Sequence, residues 1–247
     1  MDAAPDSWFQ QLSIEFSDGT VEVLHIERST TGTHVARPRE KTKEWARLAF
    51  NKCSCCPLPE SVRNCPAAMS LQATMGKLRR RSSVERVRAT AVDGEGRAQT
   101  VESDLQGVGG TLVRFAVFET ACPVGYRLKP YSGGLPAFSD SMTLMRALTR
   151  RILERHGGSV EAAQQELSET LGPLQEVFVR LIERIRSERP EEPPPVPEGQ
   201  RAPIYDAVPN SIVQADAVAK RFAMKADALC AELGAELGWG RGAGPPA

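Results

Sequence analysis

An excess of either charge is the first thing this sequence lacks: 31 Lys and Arg face 31 Asp and Glu, for a formal net charge of zero. A dedicated nucleic-acid binder grips phosphates with a clear surplus of Lys and Arg, so none is expected here, and any such contact would have to be local. Long apolar runs are missing too. The most hydrophobic stretch, Leu112 to Phe118, contains Arg114 and is far shorter than the roughly 20 residues that span a bilayer. The opening Met-Asp-Ala-Ala-Pro-Asp-Ser-Trp lacks the basic start and apolar run of a secretion signal. Histidine is scarce. His25, His34 and His156 are the full complement, and none stands in a nucleophile, metalloprotease or phosphate-loop motif. Gly107-Val108-Gly109-Gly110 has the wrong spacing for a dinucleotide fingerprint, and the carboxylates are scattered without an acid–base pair. The expectation is a non-enzymatic protein of a reducing cytoplasm.

Cysteine, by contrast, is concentrated. Cys53, Cys55, Cys56 and Cys65 fall within thirteen residues, Cys122 follows much later, and Cys230 stands alone. In a reducing compartment, clustered cysteines are more often metal ligands or redox thiols than disulfides. Cys53 and Cys56 form a Cys-x2-Cys pair that reaches one ion from a single tight turn, and Cys65 and Cys122 complete a four-sulfur set. Structural zinc is tetrahedral and closed by four such ligands, and binding it supplies folding energy to a proline-interrupted loop. Cys55 is the spare, because adjacent residues chelate a tetrahedral ion with more strain than an x2 pair. An iron–sulfur cluster is the alternative, since Cys56, Cys65 and Cys122 each precede proline, although the ferredoxin spacing is absent. A reactive dithiol needs its attacking cysteine at a helix amino terminus, whereas Cys53 follows a helix expected over 44–50. Plain thiols remain the bland alternative, at the cost of an oxidation hazard.

The pattern along the chain predicts an α+β fold. Leu12, Ile14 and Phe16 alternate with polar residues, Asp18-Gly19 interrupts, and Val21, Val23 and His25 resume, which reads as a hairpin with a tight primed turn. On that reading His25 lies on the apolar face as a packed histidine. A second helix is expected from Pro66 to about Arg80, with proline suited to the first turn. A second hairpin follows around Asp93-Gly94-Glu95-Gly96, then a buried helix from Asp104 to Thr120, whose glycines call for closely packed backbone. Residues 123 to 137 read as a loop. Ser139 or Asp140 caps a helix to about Arg155, and Ser159 opens a further one through Ile185, with a kink at Gly172-Pro173 as an option.

The Asp-Gly hairpin, Trp45 opening a helix, Cys53-x2-Cys56-Pro57-Leu58, Cys65-Pro66-x-Ala68, Cys122-Pro123 and Leu135-Pro136 together resemble a family of uncharacterised bacterial proteins, over about residues 8 to 156. The resemblance implies that Cys53, Cys56, Cys65 and Cys122 act as a set, and it carries no activity. Cys55 and the later chain depart from the pattern.

The expected organisation is an α+β cysteine-containing region over 1–156, a helical extension over 157–188, a proline-rich linker over 189–208 and an amphipathic helix over 209–238. In that last helix Ile212, Ala215, Ala219, Phe222, Ala226, Leu229 and Leu233 make a narrow apolar seam. The seam can dock on a partner, zip with a second copy, or fold back on this chain. The expected function is a regulatory or adaptor protein acting through protein partners, for instance on a signalling protein or nucleotide switch. A redox or iron–sulfur protein competes, and nucleic-acid association through the basic residues of 77–88 ranks third.

Overall fold

The structure is a computed structural model that describes residues 10–28, 34–35, 41–188 and 204–239. Most of the proline-rich segment, 189–203, therefore lies outside the described residues. Strand β1 (Gln11–Phe16) and β2 (Val21–His25) form one hairpin, β3 (Glu27–Arg28) and β4 (His34–Val35) a minimal second sheet, and β5 (Arg86–Val92) and β6 (Ala98–Asp104) another hairpin. The two long hairpins join through β1 and β5 into an antiparallel sheet ordered β2-β1-β5-β6. The rest is mainly helical: α1 (Pro66–Met75), α2 (Leu105–Phe118), the short α3 (Lys129–Ser132), α4 (Ser141–Arg155), α5 (Val160–Arg186) and α6 (Ala207–Glu236). This is the α+β architecture with a helical second half that the sequence pattern predicts.

Both hairpins turn the same way. Phe16 and Asp93 each donate to the carbonyl four residues on, at 2.9 and 3.0 Å, while Gly19 and Gly96 take φ of 79° and 80°. These are three-residue loops with glycine in the left-handed position; the two-residue primed turn that Asp18-Gly19 predicts for the first hairpin does not form. The difference inverts β2. A two-residue turn would set Ile14 opposite Val23, whereas the longer loop sets Ile14 opposite Glu22 and Leu12 opposite Leu24. A one-residue slip moves every side chain to the other face. Leu24 is accordingly buried with Leu12, Ile14 and Phe16, while Val21 and His25 are exposed, so His25 is not the packed histidine the alternation indicated.

Helix boundaries follow local chemistry. Asp104 caps α2 by accepting from the Gly107 amide at 2.8 Å, and Asp140 caps α4 by accepting from Met142 and Thr143. Gly157 and Gly158, at φ 60° and 87°, end α4, and Ser159 opens α5. Helix α5 continues through Pro173 as one element. Residues 125–132, expected as loop, instead form a 3-10 turn and α3.

The largest local departure lies at 44–50. Its apolar spacing predicts a helix, yet only Glu44–Ala46 makes a 3-10 turn before Arg47 extends and bridges to Asn64. The reason comes from far along the chain. Arg184 of α5, 1% exposed, donates to the carbonyls of Trp45 and Arg47 at 2.7 Å, of Leu48 at 3.3 Å and of Asn51 at 3.2 Å. Carbonyls that a helix would have satisfied internally are taken by one guanidinium.

Helix α6 packs on α2, α4 and α5, and all seven residues of its predicted seam are buried. Of the options open for that seam, folding back on this chain is the one seen. Contact with α2 is close: a Cβ on Gly109 would lie 1.9 Å from the Ser211 hydroxyl oxygen, so only glycine lets the two helices approach this far. The entry to α6 is pinned by Asp206, which accepts from the Ser83 amide at 2.7 Å.

Candidate metal centre

Three separate segments supply the candidate ligands. Cys53 and Cys56 sit on one turn closed by the Cys56 amide donating to the Cys53 carbonyl at 3.1 Å. Cys65 is the residue that caps α1, ahead of Pro66. Cys122 follows the end of α2. All four line a single small cavity of about 20 Å³, together with Leu48, Leu58, Val177, Leu181, Arg180 and Arg184. The structure thus brings Cys53, Cys56, Cys65 and Cys122 to one place.

The two remaining cysteines lie elsewhere. Cys55 turns toward α5, with its thiol 3.7 Å from the Pro173 carbonyl, and its amide donates to Glu176. Glu176 also takes the Ser54 amide at 2.6 Å and the Ser54 hydroxyl at 2.8 Å. The Ser54 amide leads the contacts that hold its carboxyl at about 2, below the ordinary range. Cys230 is buried in α6. As the side chains stand, no three His, Cys, Asp or Glu among the described residues form a group that could hold a metal ion. The four thiols share a cavity wall without being drawn into a coordination shell.

Burial sets the chemistry of Cys53, Cys65 and Cys122. It pushes the Cys53 thiol up to about 12, with neighbouring cysteines adding to the effect. Cys122 rises to about 11 for the same first reason, opposed by the Gly125 amide. Cys65 is also raised by burial, against the Ala68 and Ala67 amides at the start of α1 and the nearby Arg184 charge. Raised in this way, Cys53, Cys65 and Cys122 are poor nucleophiles, unlike the attacking cysteine of a redox-active dithiol. Amides and a cation aimed at sulfur nonetheless favour thiolate once an ion displaces the protons.

Arg184 and Arg180 are the members of this site that sequence reasoning missed. The signal for Arg184 was its position: three residues past Leu181 and seven past Val177, it falls on the buried stripe of α5 where an apolar residue belongs. Arg180 pairs with Glu183 at 2.8 Å. The basic stretch of 77–88 is largely engaged elsewhere. Lys77 pairs with Glu22, Arg79 with Glu188, Arg81 with Asp18 and Glu85, and Arg88 with Glu102. Those carboxylates occupy the charges that a phosphate contact would need.

No helix among the described residues is long and apolar enough to cross a membrane. Residues 11–192 match the family described as a domain of unknown function (DUF6901), and the chain belongs to that family. No curated protein and no solved structure matches it.

Proposed function

We propose that the chain is a non-enzymatic, cytoplasmic regulatory or adaptor protein, stapled by one zinc ion on Cys53, Cys56, Cys65 and Cys122 and acting by binding protein partners through its helical half. The observation that carries the staple is the convergence of four of the six cysteines, from three segments, on one cavity. Its volume of about 20 Å³ suits one small occupant. Four thiolates around Zn²⁺ leave an excess of negative charge, and the buried Arg184, whose hydrogen-bond partners are neutral carbonyls, offsets it. On this reading the Cys-x2-Cys-Pro-Leu, Cys-Pro and Cys-Pro pattern is a trait of the family. The raised thiols favour the staple over the redox alternative, and the absence of any nucleophile motif favours binding over catalysis.

Metal analysis of the purified full chain is the test. About one zinc per colourless chain is expected, lost in Cys65→Ser and Cys122→Ser together with thermal stability, and kept in Cys55→Ser and Cys230→Ser. A brown protein with visible absorption replaces zinc by an iron–sulfur cluster. A chain that binds no metal overturns the staple. For the adaptor reading, a partner cross-linked by the full chain should be lost in Cys122→Ser and kept in Cys55→Ser.

A further inference from the structure

A second cavity, remote in character from the cysteine site, lies among α2, α4, α5 and α6. It measures about 500 Å³. Protein interiors pack like organic crystals, with few voids larger than a water molecule, whereas small-molecule sites run from about 300 to 1,000 Å³. The volume is that of a ligand site, not a packing defect.

Its wall is divided by polarity. Leu144, Met145 and Leu148 of α4, Leu171 and Leu174 of α5, and Phe222 of α6 make one part apolar. The polar groups gather around the middle of α2. Arg114 donates to the Thr111 hydroxyl at 2.9 Å and to the Ala137 and Ser139 carbonyls at 3.2 Å, which holds the 137–139 segment at the rim. Burial draws the Arg114 pKa down to about 10, with Asp140 opposing, so the guanidinium stays charged at neutral pH in a poorly hydrated place. One turn before it, Gly110 leaves room for Gln214, whose amide oxygen is buried without a hydrogen-bond partner. Ser141 and the exposed Arg221 complete this side. The charges here are Arg114 and Arg221 against Asp140, whose carboxylate is engaged in capping α4. The sum is one positive charge beside an apolar hollow.

We propose that this cavity binds a monoanionic amphiphile, a carboxylate head on an apolar chain such as a medium-chain fatty acid. The head lies toward Arg114, with the Gln214 amide turned to donate to it, and the chain lies against the leucines of α4 and α5. Burial of the apolar chain supplies affinity. The charge selects the head. This assignment uses none of the cysteine site and stands or falls apart from the zinc reading.

Calorimetric titration of the full chain with decanoate, below its micelle concentration, tests it. One saturable site is expected, with decanol at least tenfold weaker and decyltrimethylammonium silent. Val218→Phe fills the hollow from α6 and should abolish binding while the chain keeps its helical circular dichroism. Arg114→Gln should weaken decanoate at least tenfold and leave decanol unchanged. Absence of a saturable site, equal affinity for decanoate and decanol, or undiminished binding in folded Val218→Phe overturns the proposal.

Discussion

Helix α5 serves two interiors built in opposite ways. Through Val177, Leu181 and Arg184 it helps enclose about 20 Å³ among four cysteines. Through Leu171, Leu174 and Phe178 it walls a hollow of about 500 Å³. The first interior is made of irregular backbone. The carbonyls of Trp45, Arg47, Leu48 and Asn51 have no helix or ladder to satisfy them, and buried unpaired groups are costly, so the segment closes tightly on one guanidinium. The second is walled mostly by regular helices whose backbone is satisfied internally, with the irregular 137–140 segment at its rim, where Arg114 takes the Ala137 and Ser139 carbonyls. Such walls stand apart without orphaning a polar main-chain group, so space survives between them.

The contrast can be broken most sharply at Arg184. Arg184→Met leaves the carbonyls of Trp45, Leu48 and Asn51 without a donor and that of Arg47 with only the Phe50 amide, and a loss of about 3 kcal/mol or more is expected in urea denaturation. A loss below about 1 kcal/mol would show that the 44–51 segment is held by something other than that cage.

Next comes the contact that keeps α6 on the helical side. Gly109→Ala places a methyl 1.9 Å from the Ser211 oxygen and should cost about 1–3 kcal/mol by overpacking. Gly76→Ala, where a Cβ meets nothing within 4 Å, should instead gain about 0.4–1 kcal/mol. Thermal melts of the two variants should move in opposite directions.

A smaller effect is expected at the rim of the large cavity. Asp140→Ala removes the cap of α4 and should cost about 1 kcal/mol. The Thr143 hydroxyl, with the Thr143 and Met142 amides, holds the Asp140 carboxyl below its ordinary range. A depressed folded-state pKa means its contribution is present above the unfolded value near 4 and is lost as pH falls through the folded one. The stability gap between the native chain and Asp140→Asn should therefore close in acid, as followed by chemical denaturation at a series of pH values. The smallest change belongs to Val218→Ala: its side chain already faces a void, so truncation should cost less than about 1 kcal/mol. A larger loss would mean that the hollow is filled in solution.

These two interiors were unequally legible in the sequence. The α6 seam was plain because period and burial coincide at every one of its seven positions. The convergence of the four cysteines was legible because Cys-x2-Cys spacing is a local property, and three of its members lie within thirteen residues. The backbone at 44–50 was not, since the partner that overrides its helical pattern lies more than 130 residues away, with Arg184 to Asn51 the nearest pairing at a separation of 133. The face of β2 was missed for a subtler reason. Asp18-Gly19 correctly marks a turn, but composition does not count loop residues, and one extra residue exchanges Leu24 with His25. The large cavity had a single trace, Arg114 inside an otherwise apolar run, and emptiness between helices leaves no other mark on periodicity.

The order β2-β1-β5-β6 also has a consequence in time. Each hairpin closes over a three-residue loop, and such pairs form in about 1–10 μs. The central β1–β5 pairing, with Gln11 opposite Val92, must wait for everything between them to be gathered in. Loop closure over that distance precedes its reward, which slows folding of non-local sheets. The two hairpins are thus expected as early, separate units, with the cysteine-bearing segment 41–65 caught in the loop that joins them. A metal ion held there would cross-link Cys53, Cys56 and Cys65 and shorten the search, so on the proposed reading three of the four thiols that line one small cavity in the finished fold would also bear on how quickly its sheet can be assembled.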